Sequence, residues 1–584
     1  MALAGLWYQN CLHNHEVCGK TLGPPQLPTR VIDVSNPRGP VVGPSNEEKG
    51  VYATLSYMWG DGPRYKTTDT GRHHVPLQNL PLTFQEAVYV AHHLGFRYLW
   101  IDAVCILQDV REDVEREISS MDAIYRNSGL NIQATHGSHA GVGLSVNRDA
   151  RDLKPTGSLH VKIAGQWEDY YGNLEQSGPW HMPLHDRGWV LQEEILPKRT
   201  LKFGTKTYMS WDCISSHSSE EEPNFGPVSR QDLRQTVFEA RRTFNMLRPG
   251  IRDDLSLWLA DAALARAVQL IAPGYRESWY DSWYALISSY TRRHLSMPGD
   301  VLFAVAGLAS AAARISSPPS TYLYGLWAED IQAGLGWSVM PYTGNDGFKR
   351  HSKLPSWSWA SQWGKVIQFF ASNRQYSSPP TVQHAGARLI TSNDDGSASD
   401  GRGTRANVGF TTFVGSGTTQ PAILLRGRLR EAPQLALYST SGPDSASFWE
   451  ARLHDPDTGS EIGFVAFDSP FTRRNPPKDV FCFLHEVRVL DISVDDDWRA
   501  LDLHSLALVR VMDDDGDDDD DAGRRPVRHR RIGVAVFRVD IWSEEQSSCG
   551  SWFGDIDLTP SDELSGVENM NAVSQPYETT IELV

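Results

Sequence analysis

Cysteine is scarce in this chain of 584 residues: six are spread along it. They do not make the dense framework of a small disulfide-stapled domain, and reduced thiols in a cytosolic protein are the simpler reading. The opening MALAGLWYQNCLHNHEVCGK has no long apolar core behind a basic region, so no secretory signal is expected there. Long hydrophobic runs are missing too. The longest apolar stretch, Val301 to Ala313, is too short to span a bilayer and contains Gly307. These absences together predict a cytoplasmic protein with no membrane span.

Positive charge is in short supply. Lys and Arg number 55 against 72 Asp and Glu, a net charge of -17, which opposes non-specific nucleic-acid binding. No internal repeat of about 20–50 residues is evident, which excludes a solenoid or propeller. Gly60-Asp61-Gly62-Pro63 lacks the Gly and Lys pattern of a phosphate-binding loop, so ATP or GTP hydrolysis is unsupported. The run Asp513 to Asp521 has no spaced ligands ending in glutamate, as a calcium loop would. With the basic run Arg524 to Arg531 that answers it, it reads as a solvated loop.

What is present is a globular composition, 40% hydrophobic and 10% aromatic, with 19 Trp to serve as buried anchors. The length calls for two or three domains. VYATLSYMW (Val51 to Trp59) reads as a buried strand, and Thr83 with Glu86 as a capping box opening a helix that Gly95 stops. RYLWIDAVCI (Arg97 to Ile106) reads as the next strand. A helix with Val114, Ile118, Met121 and Tyr125 on one face follows, then a strand from Leu130 to Thr135. Alternating strands and helices predict a parallel sheet whose carboxyl edge binds ligands. Ser229 to Leu335 reads as helical, with helices at Arg230 to Leu247, Asp254 to Ile271 and Trp279 to His294. From Leu354 the chain is strand-rich and predicts a small antiparallel unit, with strands near Ala422 to Leu429, Val480 to Leu490, Leu506 to Met512 and Ile532 to Val539. Ser392 to Arg405 has the composition of a flexible loop. The expected division is an extension over 1–48, an α/β domain over 49–215, a helical region over 216–365 and a β-rich region over 366–584.

Four segments carry chemistry: Leu55-Ser56-Tyr57-Met58-Trp59-Gly60, Leu99 to Ile106 (LWIDAVCI), Met121-Asp122-Ala123-Ile124-Tyr125, and Arg187-Gly188-Trp189-Val190-Leu191-Gln192-Glu193. In this order they resemble the fungal heterokaryon-incompatibility (HET) domain, whose pattern runs A-L-S-Y-x-W-G, L-W-I-D-x-x-C-I, M-x-x-I-Y and R-x-W-x-x-Q-E. Trp283 to Gly307, Tyr324 to Trp327 and Pro355 to Ser361 look like the region following that domain, and Trp7, Cys11, His15 and Cys18 like its start, so the likeness covers most of residues 7 to 365. Val190 stands where the pattern usually has threonine, and the loop Gly137 to Val146 also departs from the common form.

The HET family in turn resembles Toll/interleukin-1 receptor (TIR) domains. This implies a TIR-like (flavodoxin-like) parallel-sheet fold for the N-terminal domain and a role in non-self recognition and regulated cell death. TIR domains carry a W-x-x-x-E helix motif, matched here by Trp189 and Glu193, which share a helix face. The resemblance makes Glu193 the catalytic carboxylate of an NAD glycohydrolase, with NAD as substrate and no resident cofactor. Cleavage of the nicotinamide–ribose bond passes through an oxocarbenium-like state that a carboxylate can stabilise. Ser56 and Gly60 belong to the opening strand end, where Tyr57 or Trp59 would stack on a ring and Asp102 would bond a ribose. Arg64, Lys66 and Arg72 would meet the pyrophosphate; Arg187 and Trp189 complete the motif. Self-association of the domain is the implied switch, with an unknown protein activator.

The plainer readings are that Glu193 ends a surface helix or pairs with an Arg, that Asp102 caps the next turn, and that Trp100 and Trp189 are core residues. Glu194 would point about 100° away from Glu193. Cys105 between Val104 and Ile106 reads as an inert buried thiol, not a protease nucleophile. His73-His74 and His92-His93 read as surface residues. Cys11, His13, His15 and Cys18 invite zinc, but four ligands within eight residues cramp a tetrahedron, so packing is expected and no metal is assigned. The rival functions are a non-enzymatic interaction module and a degenerate regulator of the same family.

Overall fold

The computed structural model describes residues 1–15, 18, 23–60, 73–145, 157–163, 166–172, 182–204, 209–220, 276–315, 321–340, 354–369, 381–384, 388–389, 423–432, 434–438, 448–454, 459–471, 478–491, 499–511, 527–541, 548–551, 554–557 and 578–583. The expected helices over Arg230 to Leu247 and Asp254 to Ile271, the loop Ser392 to Arg405 and the run Asp513 to Asp521 lie outside them. The chain divides into two compact units. One is Met1–Ala272 with Arg293–Leu295 and Phe303–Ile315; the other is Pro273–Arg292, Ser296–Leu302 and Ser316–Val584.

The first unit holds α1 (Ala2–Asn14) and a nine-stranded sheet of β1 (Arg30–Asp33), β2 (Val41–Pro44), β3 (Tyr52–Ser56), β4 (His73–His74), β5 (Tyr98–Trp100), β6 (Leu130–Ala134), β9 (Arg199–Phe203), β10 (Met209–Cys213) and β11 (His217–Ser219). A separate hairpin pairs β7 (Gly157–Ile163) with β8 (Gln166–Gly172). The sheet order is β11-β10-β9-β6-β3-β5-β1-β2-β4. Its centre, β9-β6-β3-β5, is parallel; both flanks are antiparallel. The parallel sheet expected from the alternation is therefore a parallel core inside a mixed sheet. Every residue of β3 and β6 is buried, as strands covered on both faces require.

The chain leaves β3, passes through α2 (Leu82–His93) to β5 on one side, then through α4 (Arg111–Asn127) to β6 on the other. Among the four parallel strands the order is thus 2-1-3-4, and the direction reverses at β3. Loops diverge at such a reversal and leave a crevice at the carboxyl ends of the strands.

Several local expectations change. β5 stops at Trp100 because Asp102–Cys105 turn into a four-residue helix, α3. α2 starts at Leu82 behind Pro81, with no side-chain cap. Instead of forming a capping box, Thr83 Oγ1 accepts from Gly143 N at 3.0 Å and Glu86 Oε2 accepts from Leu144 N and Ser145 N. Both anchor the loop after β6. The buried face of α4 includes Asp113 and Glu117 beside Met121, Ile124 and Tyr125, while Val114 and Ile118 are only half-buried. The rotation has a cause: Arg30 on β1 is buried and grips Asp113 at 2.7 and 3.0 Å. α5 (Val190–Ile195) and α7 (Phe303–Ile315) belong to this unit, with α7 packed on α4 and α5. Gly307 makes that approach possible, since a Cβ there would stand 2.5 Å from Asp122 Cβ.

The second unit contains α6 (Arg276–Tyr290) and a ten-stranded sheet, larger than the small unit expected. It is antiparallel except for the pairing of Val527–Ile541 with Glu578–Leu583. Trp283, Trp327, Trp337, Trp357 and Trp359 are buried here. The basic run before Ile532 is not a solvated loop throughout. Val527–Ile541 is one strand, and Arg531 within it is fully enclosed. Among the described residues no helix is long and apolar enough to cross a membrane.

Candidate functional site

The site forms where β3, β5 and β6 end. Ser56 is the last residue of β3 and is buried, with Tyr57 beside it. The chain then emerges through Trp59 and Gly60, both half-buried. Gly60 has φ +56°, and a Cβ there would lie 2.2 Å from Ser138 O, so only glycine lets this turn lie against the loop after β6. Trp59 Nε1 donates to Asp102 Oδ2 at 2.7 Å. Asp102, the first residue of α3, also accepts from Ala103 N at 2.7 Å. Asp102 is not the helix's cap, since the N-cap position is Ile101 and carries no side-chain cap bond; one Asp102 oxygen meets its neighbour's N–H and the other the β3 loop.

α5 supplies the second carboxylate. Asn131 on β6 bonds both Ser56 Oγ, at 3.1 Å, and the carbonyl of Glu193, at 2.9 Å, so β3, β6 and α5 meet at one amide. Glu193 is 5% exposed and does not end a surface helix. Ser56 Oγ donates to Asn131 Oδ1 at 3.2 Å and Tyr125 Oη to Leu55 O at 3.4 Å, and both hydroxyls are near enough to favour the ionised Glu193 carboxylate. Arg187, just before α5, donates from Nη1 to Tyr57 O at 2.7 Å, and its charge reaches both Asp102 and Glu193.

Burial dominates the electrostatics. It raises the Glu193 carboxyl to about 7, and the charge of Asp102 adds to the rise; Arg187, Ser56 and Tyr125 oppose it. Burial likewise raises Asp102 against the pull of Arg187 and Trp59. Tyr57 and Tyr125 are held well above their ordinary range by burial and by these carboxylates. The adjacent Glu194 behaves in the opposite way. Its burial is overcome by His185, at 2.9 Å, and Arg293, at 2.8 Å, which hold it well below the ordinary value.

The structure therefore gathers Ser56, Tyr57, Trp59, Gly60, Asp102, Arg187 and Glu193. Trp189 lies at the start of α5, half-buried, whereas Trp100 is fully buried in the core. Arg64, Lys66 and Arg72 lie outside the described residues. Burial pushes the Cys105 thiol up to about 12, in keeping with an inert thiol. His74, His92 and His93 are exposed.

Sequence reasoning missed Asn131 and Gln133. Both sit on β6, two residues apart and so on one sheet face, paired in register with Thr54 and Ser56. Gln133 is fully buried, and neither atom of its amide has a partner among the described residues. A polar residue inside an apolar strand run was the available signal: the segment reads Leu-Asn-Ile-Gln-Ala. A buried amide without partners next to Ser56 is a ready contact for a polar ligand.

Residues 52–193 match the family model described as Heterokaryon incompatibility protein (HET), and all of the gathered residues lie inside that match. The match suggests a heterokaryon-incompatibility role for the chain. No curated protein and no solved structure matches it.

Proposed function

We propose that this chain is a heterokaryon-incompatibility effector of regulated cell death that acts by hydrolysing NAD at the nicotinamide–ribose bond, with Glu193 as catalytic carboxylate. The observation that carries the reading is the placement of Glu193: buried at the strand ends by the sheet's reversal point, tied with Ser56 to the Asn131 amide, in the field of the Arg187 charge that also acts on Asp102. The likeness to TIR domains, through Trp189 and Glu193, supports the same assignment.

In this mechanism the glycosidic carbon–nitrogen bond breaks with its electron pair going to the nicotinamide nitrogen. The ring charge is neutralised and no general acid is needed. The ribose becomes an oxocarbenium ion, which the ionised Glu193 faces. Water adds to the anomeric carbon and loses its proton to Glu193 or solvent. A substrate carrying a cationic ring favours the ionised carboxylate over the neutral one. Trp59 offers a stacking face, Asp102 and Gln133 offer polar contacts to the ribose, and Arg187 the charge for a phosphate. Self-association, or a protein activator, completes the site in the cytoplasm.

The burial of Glu193 favours one other reading, a non-enzymatic signalling module in which the carboxylate only holds α5 on the sheet. Nicotinamide release by the full chain, with Glu193→Gln beside wild type over a range of protein concentrations, separates the two. The enzyme reading expects turnover that rises with concentration and with pH through about 7, the value at which Glu193 ionises, and that disappears in the folded variant. A folded Glu193→Gln protein that still triggers cell death at the wild-type level would remove it.

A further inference from the structure

Outside this site, four metal-ligating side chains converge at the opposite flank of the nine-stranded sheet. They are Cys11 in the last turn of α1, His15 just after it, Cys18, and Cys213 at the end of β10. Their ligand atoms all lie within 4.8 Å of one another, and His15 Nδ1 is 3.3 Å from Cys213 Sγ. The objection that four ligands within eight residues cramp a tetrahedron does not apply to this set. The exposed His13 is not part of it; it bonds Gln9 O at 2.7 Å. The fourth donor comes from a strand 198 residues beyond His15. We propose that Cys11, His15, Cys18 and Cys213 bind one zinc ion that fastens α1 to the sheet.

The donor set and its spacing fit that ion. Zinc bond lengths of about 2.3 Å to sulfur and 2.0–2.1 Å to nitrogen put tetrahedral donors roughly 3.5–3.8 Å apart, so contraction by no more than about 1.3 Å closes the cluster. Cys11 and His15 are four residues apart and share a helix face. Cys18 supplies a third donor, and Cys213 on β10 presents the fourth from across the interface. The three cysteines are fully buried. Three thiolates with one imidazole select zinc over harder cations. With four protein ligands the site is closed, which is the structural and not the catalytic arrangement.

Charge supplies an independent argument. Arg199 on β9 is 3% exposed. It donates from Nε to Cys11 Sγ at 3.2 Å, from Nη2 to Cys18 O at 2.5 Å and from Nη1 to Gly129 O at 3.4 Å. Among the described residues no carboxylate is its partner. A buried guanidinium without a counter-anion is strongly unfavourable. Zinc with three thiolates and a neutral imidazole carries one negative charge, which Arg199 neutralises. The N–H bond to Cys11 is also the kind of outer contact that orients a thiolate ligand. Ser215 Oγ and Ser216 Oγ, each 3.5 Å from a cluster sulfur, can add hydroxyl donors.

The ion would join two stretches that both lie outside residues 52–193, closing the domain from its amino-terminal helix to its far strands. The buried Trp7 and the approach of Tyr8 to Trp211, at 6.2 Å, provide the apolar half of the same contact.

Elemental analysis of the full chain, purified without chelators from zinc-supplemented cells, should find one zinc per chain. Cys213→Ser and Cys11→Ser should lose it, while Cys105→Ser and His13→Ala keep it. Because the first two variants can misfold, the wild-type chain stripped by chelator provides the second arm. Added Co2+ should give the ligand-field and sulfur charge-transfer bands of a tetrahedral thiolate site, and should protect Cys11, Cys18 and Cys213 from alkylation. Metal-free wild type with no cobalt spectrum, zinc retained by Cys213→Ser, or a disulfide among the three cysteines in the protein as purified would overturn the proposal.

Discussion

In the second unit, Arg531 is paired with Asp468. Arg531 is buried, reaches both Asp468 oxygens at 3.0 and 3.3 Å, lies 3.4 Å over the Trp337 ring and donates to the carbonyls of Leu335 and Trp337. At the carboxyl edge of the nine-stranded sheet, Asp102 and Glu193 both lie in the field of one guanidinium, Arg187, and burial lifts both carboxyls. Burial alone therefore does not distinguish a structural carboxylate from a reactive one. A carboxylate with a full set of fixed donors stays ionised and rigid. One that must share its counter-charge is left near its titration point, ready for a cationic ligand.

The largest effect that tests this contrast lies at the matched pair. Asp468→Asn leaves Arg531 charged, buried and short of its anion, and should cost about 3–5 kcal/mol. Chemical denaturation of the full chain, followed by fluorescence of the second unit's tryptophans, reads this directly. A loss under about 1 kcal/mol would mean that the pair is no more than a surface-like contact.

The adjacent glutamates of α5 carry the same contrast within one helix, and pH separates them. Glu193 is raised from its ordinary 4.5 to about 7. Its contribution to stability is full below 4.5 and is lost as pH rises through about 7, a change on the order of 3 kcal/mol. Glu194 is depressed, so its contribution is present above the ordinary 4.5 and disappears as the solution is made more acid. Glu193→Gln should therefore flatten the stability profile between pH 4.5 and 7, and Glu194→Gln should lower stability by about 3 kcal/mol at neutral pH because Arg293 is left unpaired. Equal profiles for the two variants would erase the distinction.

This pairing shows what the sequence could and could not disclose. The four motifs located Ser56, Tyr57, Trp59, Asp102, Arg187 and Glu193, and periodicity located the strands that carry them. Which of two neighbouring glutamates is paired depends on Arg293, about a hundred residues further along, and no local pattern reports that contact. Asn131 and Gln133 were hidden inside a good strand signal. Thr83 and Glu86 matched a capping box by spacing, yet a distant loop claims both side chains. Arg531 looked solvated because charge composition does not reveal that Asp468 is waiting across the sheet. The zinc-like cluster was missed for the same reason: its fourth donor is remote in sequence.

A smaller effect concerns the backbone around the shared-charge site. Gly60→Ala places a Cβ against Ser138 O at a left-handed residue, and should cost about 1–3 kcal/mol. If the strand-end loop positions Trp59 against Asp102, nicotinamide release should fall as well. Unchanged stability would show that the loop after β6 yields freely, and that this edge of the site is not rigid.

The smallest expected effect tests how that loop is held. Thr83 is buried, and its Oγ1 accepts from Gly143 N at 3.0 Å. Val has nearly the shape of Thr but no hydroxyl, so Thr83→Val keeps the packing of α2 while leaving the Gly143 amide without its acceptor, at a cost of about 1 kcal/mol. Glu86 still holds Ser145 N at 2.9 Å and limits the movement. Hydrogen exchange should therefore speed up at Gly143 and its neighbours but not in β3 or β6. Faster exchange throughout the sheet would show that the loop and the strand ends open as one unit, and the contrast between a rigid matched pair and an adaptable shared site would then have to extend to the parallel core itself.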